Sequence, residues 1–451
     1  MATALNRIWK LHGDGRSVTP GEVVSPDERL HFPHMLGLGT QHILAMFGAT
    51  VLVPVLTHFP VTTTIFFSGV GTLIFNLVTR NKIPSYTGSS FAFIAPVIAA
   101  EAHGGVPAAL GGILCAGVAL FILGVIVDRV GFRVIEFLLP PIVTGAIVAL
   151  IGLNLAPTAE MEFTAQAGIA MVTLVSILII GVAVKGFFSR LSVFLGVAIG
   201  YAFAAILGKV NWSGVRSADW VGLPHFMTPT FNGRAIVLIV PAVLAVLLAE
   251  NAGHVKAVAV MTDRDLDPVI GRSYMADGLA TTLSGLFGGA GTTTYAENIG
   301  VMGYTRVYST LAYIIAGFVA IGLGLLPKFG AVLAAIPIGV LGGAVTVLFG
   351  MIVVLGARIW VDARVNFRDP VNLVTAAVAV IVGAGNYTLK LGSDEFAGIA
   401  LGSLAAIVIY QVLRRLQPEI LAPTEPEGGA YGDALAEPLA RTPDPRGPTT
   451  P

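Results

Sequence analysis

Apolar residues in this chain come in long runs separated by short polar breaks; 169–184 and 310–326 are two of the clearest. Wound as α-helix, a run of roughly twenty residues crosses the ~30 Å hydrocarbon core of a bilayer. Their recurrence predicts an all-α polytopic membrane protein. Fourteen segments can be drawn, over 35–58, 61–79, 84–100, 106–127, 134–156, 166–184, 191–208, 235–257, 270–289, 291–304, 307–326, 329–355, 371–388 and 396–413. The third and tenth are short for a full crossing. Both hold Gly, Ser and Thr where a lipid-facing helix carries large apolar residues.

Composition agrees with this. Of 451 residues, 55% are hydrophobic and 12% charged, about half the charged share of an ordinary soluble domain. The net charge of zero gives no support to nucleic-acid binding or to a basic surface patch. Cys115 is the one cysteine, which excludes an intrachain disulfide. Residues 1–33 are polar and contain Pro and Gly, so no cleavable leader is expected. From Gln417 the chain is rich in Pro, Glu and Gly and is expected to be a disordered cytoplasmic tail. With the N-terminus inside, 21 of the 26 Lys and Arg fall in cytoplasmic loops and tails. That bias favours an even number of spans and two cytoplasmic termini.

A shift of 209 residues aligns the two halves. Gln41-His42 falls on Glu250-Asn251, Ser68-Gly69 with Thr72 on Asp277-Gly278 with Thr281, and Ser85-Tyr86 on Thr294-Tyr295. A looser echo relates 139–152 to 336–350. Seven spans per half is an odd number, so the halves are expected as 7+7 inverted repeats. In such carriers the ligand site lies near the midplane, where the repeats meet. The two polar segments SYTGSSFAFIAP (85–96) and TTTYAENIGVMGYTR (292–306) are then discontinuous spans. Backbone breaks of this kind are tolerated at membrane depth only when buried in protein or lining a cavity. Alternatively, their glycines serve close helix packing.

An acid within a span costs roughly 2.5–3.5 kcal/mol on insertion scales, which makes each one a functional candidate. Glu250, Glu297 and Asp277 are the three. Glu250 and Glu297 are assigned to a ligand; either could instead be structural, Glu250 in a polar pair and Glu297 as a helix cap. Asp277 is taken as polar support. His254 follows Glu250 by one turn on the same helix face, where acid and imidazole can share or relay a proton; an interfacial position is the alternative. Gln41, His42, Ser89, Ser90 and Asn298 are expected to brace the broken segments. Glu101 and Glu136 sit near span ends and read as solvated. No HExxH motif and no phosphate-binding GxxxxGK occur, so neither a metal site nor ATP-driven transport is expected. Either an ion gradient supplies the energy or transport is passive.

The stretch ENIGVMGYTR (297–306) has the form Gln/Glu-Asn-x-Gly-x-x-x-x-Thr-Arg. It resembles the signature of the nucleobase–ascorbate transporter (nucleobase:cation symporter-2) family. QHILAMFGATVLVPVLT (41–57), GSSFAFIAP (88–96) and AENAGH (249–254) are similar to the bacterial uracil permeases of that family. The resemblance runs from about Pro33 to Leu416. It implies a core domain over 34–128 and 211–326 and a gate domain over 129–210 and 327–416, between the end segments 1–33 and 417–451. It also implies short β-strands in broken spans 3 and 10. It places uracil against Glu250 and Glu297, with backbone contacts at Phe91, Tyr295 and Ala296 and apolar contact from Ala49 and Phe91. It assigns proton coupling to Glu250 and His254, uses no cofactor beyond the proton gradient, and implies a homodimer in the bacterial cytoplasmic membrane. Where uracil permeases often have glycine after the tyrosine, this chain has Ala296. Glu297, where purine carriers tend to have glutamine, favours uracil over xanthine or urate. A passive channel or anion exchanger of the same architecture is the remaining alternative.

Overall fold

The computed structural model describes residues 8–18, 21–131, 133–391 and 394–416; the expected disordered tail lies outside them, as does the side chain of Glu136. The chain opens with a parallel strand pair, β1 (Lys10–Leu11) and β2 (Glu28–Arg29). Then follow α1 (Phe32–Leu56), α2 (Val61–Val78), β3 (Thr87–Ser89), α3 (Ile94–Glu101) and α4 (Gly105–Val130). Next come α5 (Pro141–Asn154), α6 (Ala156–Ala165), α7 (Ala167–Ala183) and α8 (Ser192–Ile206). After a long loop, α9 (Gly233–Thr262), α10 (Ile270–Phe287), β4 (Thr292–Thr294), α11 (Ala296–Thr305) and α12 (Thr310–Gly324) follow. The last elements are α13 (Pro327–Ala334), α14 (Ile338–Asp362), α15 (Pro370–Ala384) and α16 (Gly398–Leu416).

Among the described residues seven helices are long and apolar enough to cross a membrane, or eight if α12 and α13, bent by 83°, form one span. Each of the other segments drawn from sequence also carries a helix, but a shorter or more polar one. Two boundaries differ from expectation. The segment 329–355 is split, because Pro337 breaks the chain between α13 and α14. Span 5 breaks between α5 and α6, just ahead of Pro157.

Small residues set how the helices pack. On α4 and α10, Gly117 lies against Gly278 and Thr282, and Gly124 against Gly271 and Met275. A Cβ on Gly278 would stand 2.4 Å from the backbone nitrogen of Phe121. On α2 and α12, Gly69 and Gly317 face each other, and a Cβ on Gly69 would be 2.4 Å from the Gly317 carbonyl. A third contact of this kind joins α5 to α14 through Gly145, Gly152 and Gly356. Lipid tails provide little hydrophobic drive for one helix to join another, so such close backbone approach is a main source of cohesion.

The polar N-terminal segment is not a free leader to the first span. Val24 forms a parallel bridge to Val307. The buried Trp9 donates from Nε1 to Thr310 Oγ1 at 2.8 Å. Trp9, Val24, Leu30 and Met35 close a separate apolar cluster with Val307, Leu311, Ala312 and Ile315, and Asp27 pairs with Arg264. The pattern of hydrophobic positions missed this because the segment offers single apolar anchors rather than a run.

Gly278→Val is expected to overpack the α4–α10 contact by about 1–3 kcal/mol. The check is thermal melting of detergent-purified protein. A lowered midpoint or loss of the monodisperse species is expected, whereas Gly350→Ala, where a Cβ meets nothing within 4 Å, leaves both unchanged.

Candidate functional site

The site is built on β3 and β4, which pair antiparallel as Thr87↔Thr294, Gly88↔Thr293 and Ser89↔Thr292. All six residues are buried. Two further bonds extend the ladder symmetrically, Ser90 N–H to the Gly291 carbonyl (3.0 Å) and Tyr295 N–H to the Tyr86 carbonyl (3.1 Å). Two strands three residues long satisfy each other's backbone, which a broken helix could not do alone at membrane depth. Each strand is also tied to the helix before it. Thr72 Oγ1 of α2 accepts the Thr87 N–H at 3.1 Å, and Thr281 Oγ1 of α10 accepts the Thr292 N–H at 3.0 Å.

These ties correct one alignment made from sequence. Thr72 precedes its strand partner by 15 residues and Thr281 by 11. The loop into β3 is therefore four residues longer, and the 209-residue offset does not carry past it. Tyr86 stands before its strand and matches Gly291, whereas Tyr295 stands after its strand and matches Ser90. The paired tyrosines are a coincidence of spacing.

Beyond the strands the chain turns at once into two half-helices. Ser90 caps the first, its Oγ accepting the Ala92 N–H at 3.2 Å and donating to Glu250 Oε2 of α9 at 3.4 Å. The second half-helix, α11, begins at Tyr295 and carries Glu297 in its first turn, where the helix dipole favours negative charge. Ala296 and Glu297 are exposed, while Glu250 and Phe91 are half-buried. Glu250 and Glu297 lie close enough to interact electrostatically. The first N–H groups of each half-helix have no partner within it. Two acids from different elements and two helix N-termini thus face one region.

The remaining residues singled out from sequence separate into groups. The Tyr295 ring is buried; its hydroxyl donates to the Ser89 carbonyl (2.7 Å) and meets Thr50 Oγ1 (2.8 Å). Gly88 is required here, since a Cβ would come within 2.7 Å of both Thr50 Oγ1 and the Tyr295 ring. Ser89 Oγ donates to the Ala49 carbonyl at 3.0 Å, bringing α1 against the strands. His254 Nδ1 lies 2.9 Å from Thr294 Oγ1 and so reaches β4. Asp277 accepts from the Asn251 amide, which in turn accepts from Ser273, a network buried between α9 and α10. Asn298 Nδ2 donates to the His42 carbonyl at 2.9 Å and lies 3.1 Å from its Nδ1. The His42 ring rests on Tyr313, centroids 4.4 Å apart. Among the described residues the Gln41 side chain has no hydrogen-bond partner, and it lies on an open face of α1. Glu101 is largely buried and faces His58 at 3.2 Å, where a solvated acid was expected.

Sequence reasoning passed over Phe349 of α14, which is buried edge-on to Phe91 with centroids 6.1 Å apart. It also passed over Thr50 and Thr294. Phe349 sits in an apolar run with nothing to mark it, and threonines whose hydroxyls meet a tyrosine or histidine side chain from another element carry no spacing signal.

Helices of spanning length gathered around two interrupted segments, with acids at the interruption, are the build of a membrane carrier. The structure of the murine Solute Carrier 26 family member A9 anion transporter in the inward-facing state shares this fold. Its TM-score is 0.63 at 11% identity, covering 86% of this chain and 69% of that one. The transmembrane domain of a cyanobacterium bicarbonate transporter, BicA, superposes with a TM-score of 0.56 at 15% identity, covering 84% and 98%. In sequence, residues 34–392 match the model of the Permease family. The chain is 46% identical to the "Putative pyrimidine permease RutG" of Escherichia coli (strain K12), over 92% of this chain and 97% of the relative. It is 39% identical to the uracil permease of Paenibacillus larvae (86% and 96%) and 37% identical to that of Escherichia coli (strain K12) (88% and 96%). The chain belongs to this permease family, that of the nucleobase–ascorbate transporters.

Tyr295→Phe removes the hydroxyl shared by the Ser89 carbonyl and Thr50, leaving buried polar groups short of a partner. A loss of about 1–3 kcal/mol is expected, read as a lower melting midpoint; an unchanged midpoint contradicts this role for the hydroxyl.

Proposed function

We propose that the protein carries uracil, or a close oxopyrimidine relative, across the membrane together with a proton. The observation that carries this reading is the convergence of Glu250, Glu297 and the two half-helix starts. A uracil ring presents two N–H donors and two carbonyl acceptors. Carboxyl oxygens of Glu250 and Glu297 complement the donors, and backbone N–H groups at Phe91 and Ala296 complement the carbonyls. Ala49 and Phe91 supply apolar contact with the ring, and Phe349 backs Phe91. The relatives named as uracil and pyrimidine permeases support the same substrate class.

Glu250 and His254 carry the coupling in this proposal. They lie one turn apart on α9, with Glu250 bonded to Ser90 beside β3 and His254 bonded to Thr294 of β4. A proton taken by either changes what that side chain can offer its strand partner, and so links charge to the shape of the site. Transport then proceeds by alternating access, with the core segments 34–128 and 211–326 moving against the gate segments 129–210 and 327–416. The equivalence of the α2–α12 and α4–α10 contacts under a two-fold exchange of the halves supports fourteen spans as 7+7 inverted repeats. The excess of Lys and Arg in alternate loops supports two cytoplasmic termini in a bacterial inner membrane.

An anion exchanger is the second reading, prompted by the fold neighbours. Both candidate substrate-binding side chains, Glu250 and Glu297, are acidic, and no Lys or Arg pairs with either among the described contacts. That disfavours an anionic substrate.

The test is uptake of labelled uracil into proteoliposomes under an imposed pH gradient, with and without a protonophore, and with unlabelled xanthine as competitor. Accumulation that the protonophore abolishes and xanthine leaves alone is expected. Glu250→Gln is expected to abolish proton-driven accumulation. Accumulation that survives in that variant removes Glu250 from the coupling step, and equilibration without accumulation makes the protein a facilitator.

A further inference from the structure

The two acids stand on helices whose far ends meet. At 1.5 Å per residue, Glu250 lies about 18 Å from the end of α9 and Glu297 about 12 Å from the end of α11. Those ends touch: a Cβ on Gly303 of α11 would stand 2.8 Å from Met261 Cε of α9. Each helix stops on a residue in the left-handed region, α9 on Asp263 (φ 51°) and α11 on Arg306 (φ 56°). Neither is a glycine, so each turn is strained and needs its surroundings to hold it.

The N-terminal segment supplies those surroundings. Val24 N–H donates to the Arg306 carbonyl (2.9 Å), and the Val24 carbonyl accepts the Tyr308 N–H (2.8 Å). The Pro26 carbonyl accepts both the Thr310 N–H (3.1 Å) and the Thr310 hydroxyl (3.0 Å). Val307, Tyr308, Ser309 and Thr310 are buried, where backbone groups need such partners. The next residue along, Asp27, pairs with Arg264, two residues past the end of α9. One short stretch therefore reaches both helix ends. It is locked by the turn of chain before it. Lys10 N–H bonds the Asp27 carbonyl and His12 N–H the Arg29 carbonyl, both at 2.9 Å, while His12 Nδ1 lies 2.9 Å from Glu28 Oε2. This fold brings Trp9 onto the same Thr310 hydroxyl.

We propose that Trp9, Val24 and Asp27 are positioning residues for the binding site. They hold the far ends of α9 and α11 together and so fix the spacing of Glu250 and Glu297. None of the three touches the substrate; each acts through the two helices. The half-helix α11 depends on this most, since it is ten residues long and starts from a strand of three. A ligand that bridges acids on two helices binds only when both stand at the right distance. Loss of the clasp therefore lowers the competent fraction and raises the apparent dissociation constant in proportion. The effect on affinity rests on the two-acid site proposed above.

The test uses the full chain carrying Trp9→Ala, Asp27→Lys, or the charge swap Asp27→Lys with Arg264→Glu. Asp27 and Arg264 are exposed on the surface, so the second and third variants carry the test if Trp9→Ala fails to fold. Uracil binding is measured by calorimetry well below the melting midpoint, alongside hydrogen exchange of the backbone amides. Trp9→Ala and Asp27→Lys are expected to weaken binding at least about fivefold, and the swap to return it to within about twofold of the parent. Exchange is expected to quicken in 297–305 and 255–262 as well as in 306–310. Parent-like affinity in a variant that has lost protection at 306–310 overturns the proposal. Faster exchange confined to 306–310 also overturns it, leaving the segment as a cover on the junction alone. A parent protein that binds no uracil sinks the substrate reading instead, and exchange then decides whether the clasp holds the two helix ends.

Discussion

The pairing of β3 with β4 is the constraint on which the rest depends. Interrupting a helix inside a bilayer frees backbone groups, each costly without a partner. Here the two interruptions answer each other residue for residue, and Thr72 and Thr281 anchor the ends of the ladder to the preceding helices. Because the ladder is antiparallel and nearly two-fold symmetric, the half-helices leave it in opposite directions. Their N-termini, the ends with free N–H groups, remain together. The meeting of the two half-helix starts follows from satisfying the backbone, and under the proposed function Glu250 of α9 and Glu297 of α11 complete it as a surface for a neutral polar ring.

Close helix packing makes this geometry rigid. Facing glycines on α4 and α10, and on α2 and α12, allow backbone-to-backbone contact on either side of the strands. Tyr295 and Ser89 tie the ladder to α1, and His254 ties it to α9. The N-terminal segment adds a clasp from outside, joining the α11–α12 junction to the loop after α9 through Val24, Trp9 and Asp27. The elements holding the two acids are therefore fixed at both ends.

Much of this was legible in the sequence, for identifiable reasons. Unbroken apolar runs located the helices, and Gly, Ser and Thr within two of them located the interruptions. An acid among apolar residues stands out, so Glu250, Glu297 and Asp277 were visible, and Asp277 stands in a buried network with Asn251 and Ser273. What sequence could not resolve was partnership. His42 and Gln41 are neighbours, yet one braces Asn298 and the other faces open space. A four-residue difference in loop length put the two tyrosines out of register without disturbing the apparent alignment. Trp9, one aromatic in a polar stretch, gave no sign of a docked segment. Phe349 depends on a contact between elements more than 250 residues apart in the chain.

Calorimetric titration of the purified protein with uracil, and separately with sulfate and bicarbonate, most directly tests whether the paired half-helices and acids form a site for a neutral base. Saturable binding of uracil alone is expected, with Glu297→Gln weakening it at least about tenfold, in line with loss of one charge-assisted hydrogen bond. Binding of either anion in place of uracil, or a Glu297→Gln affinity equal to that of the parent, would contradict a base-binding site at this position.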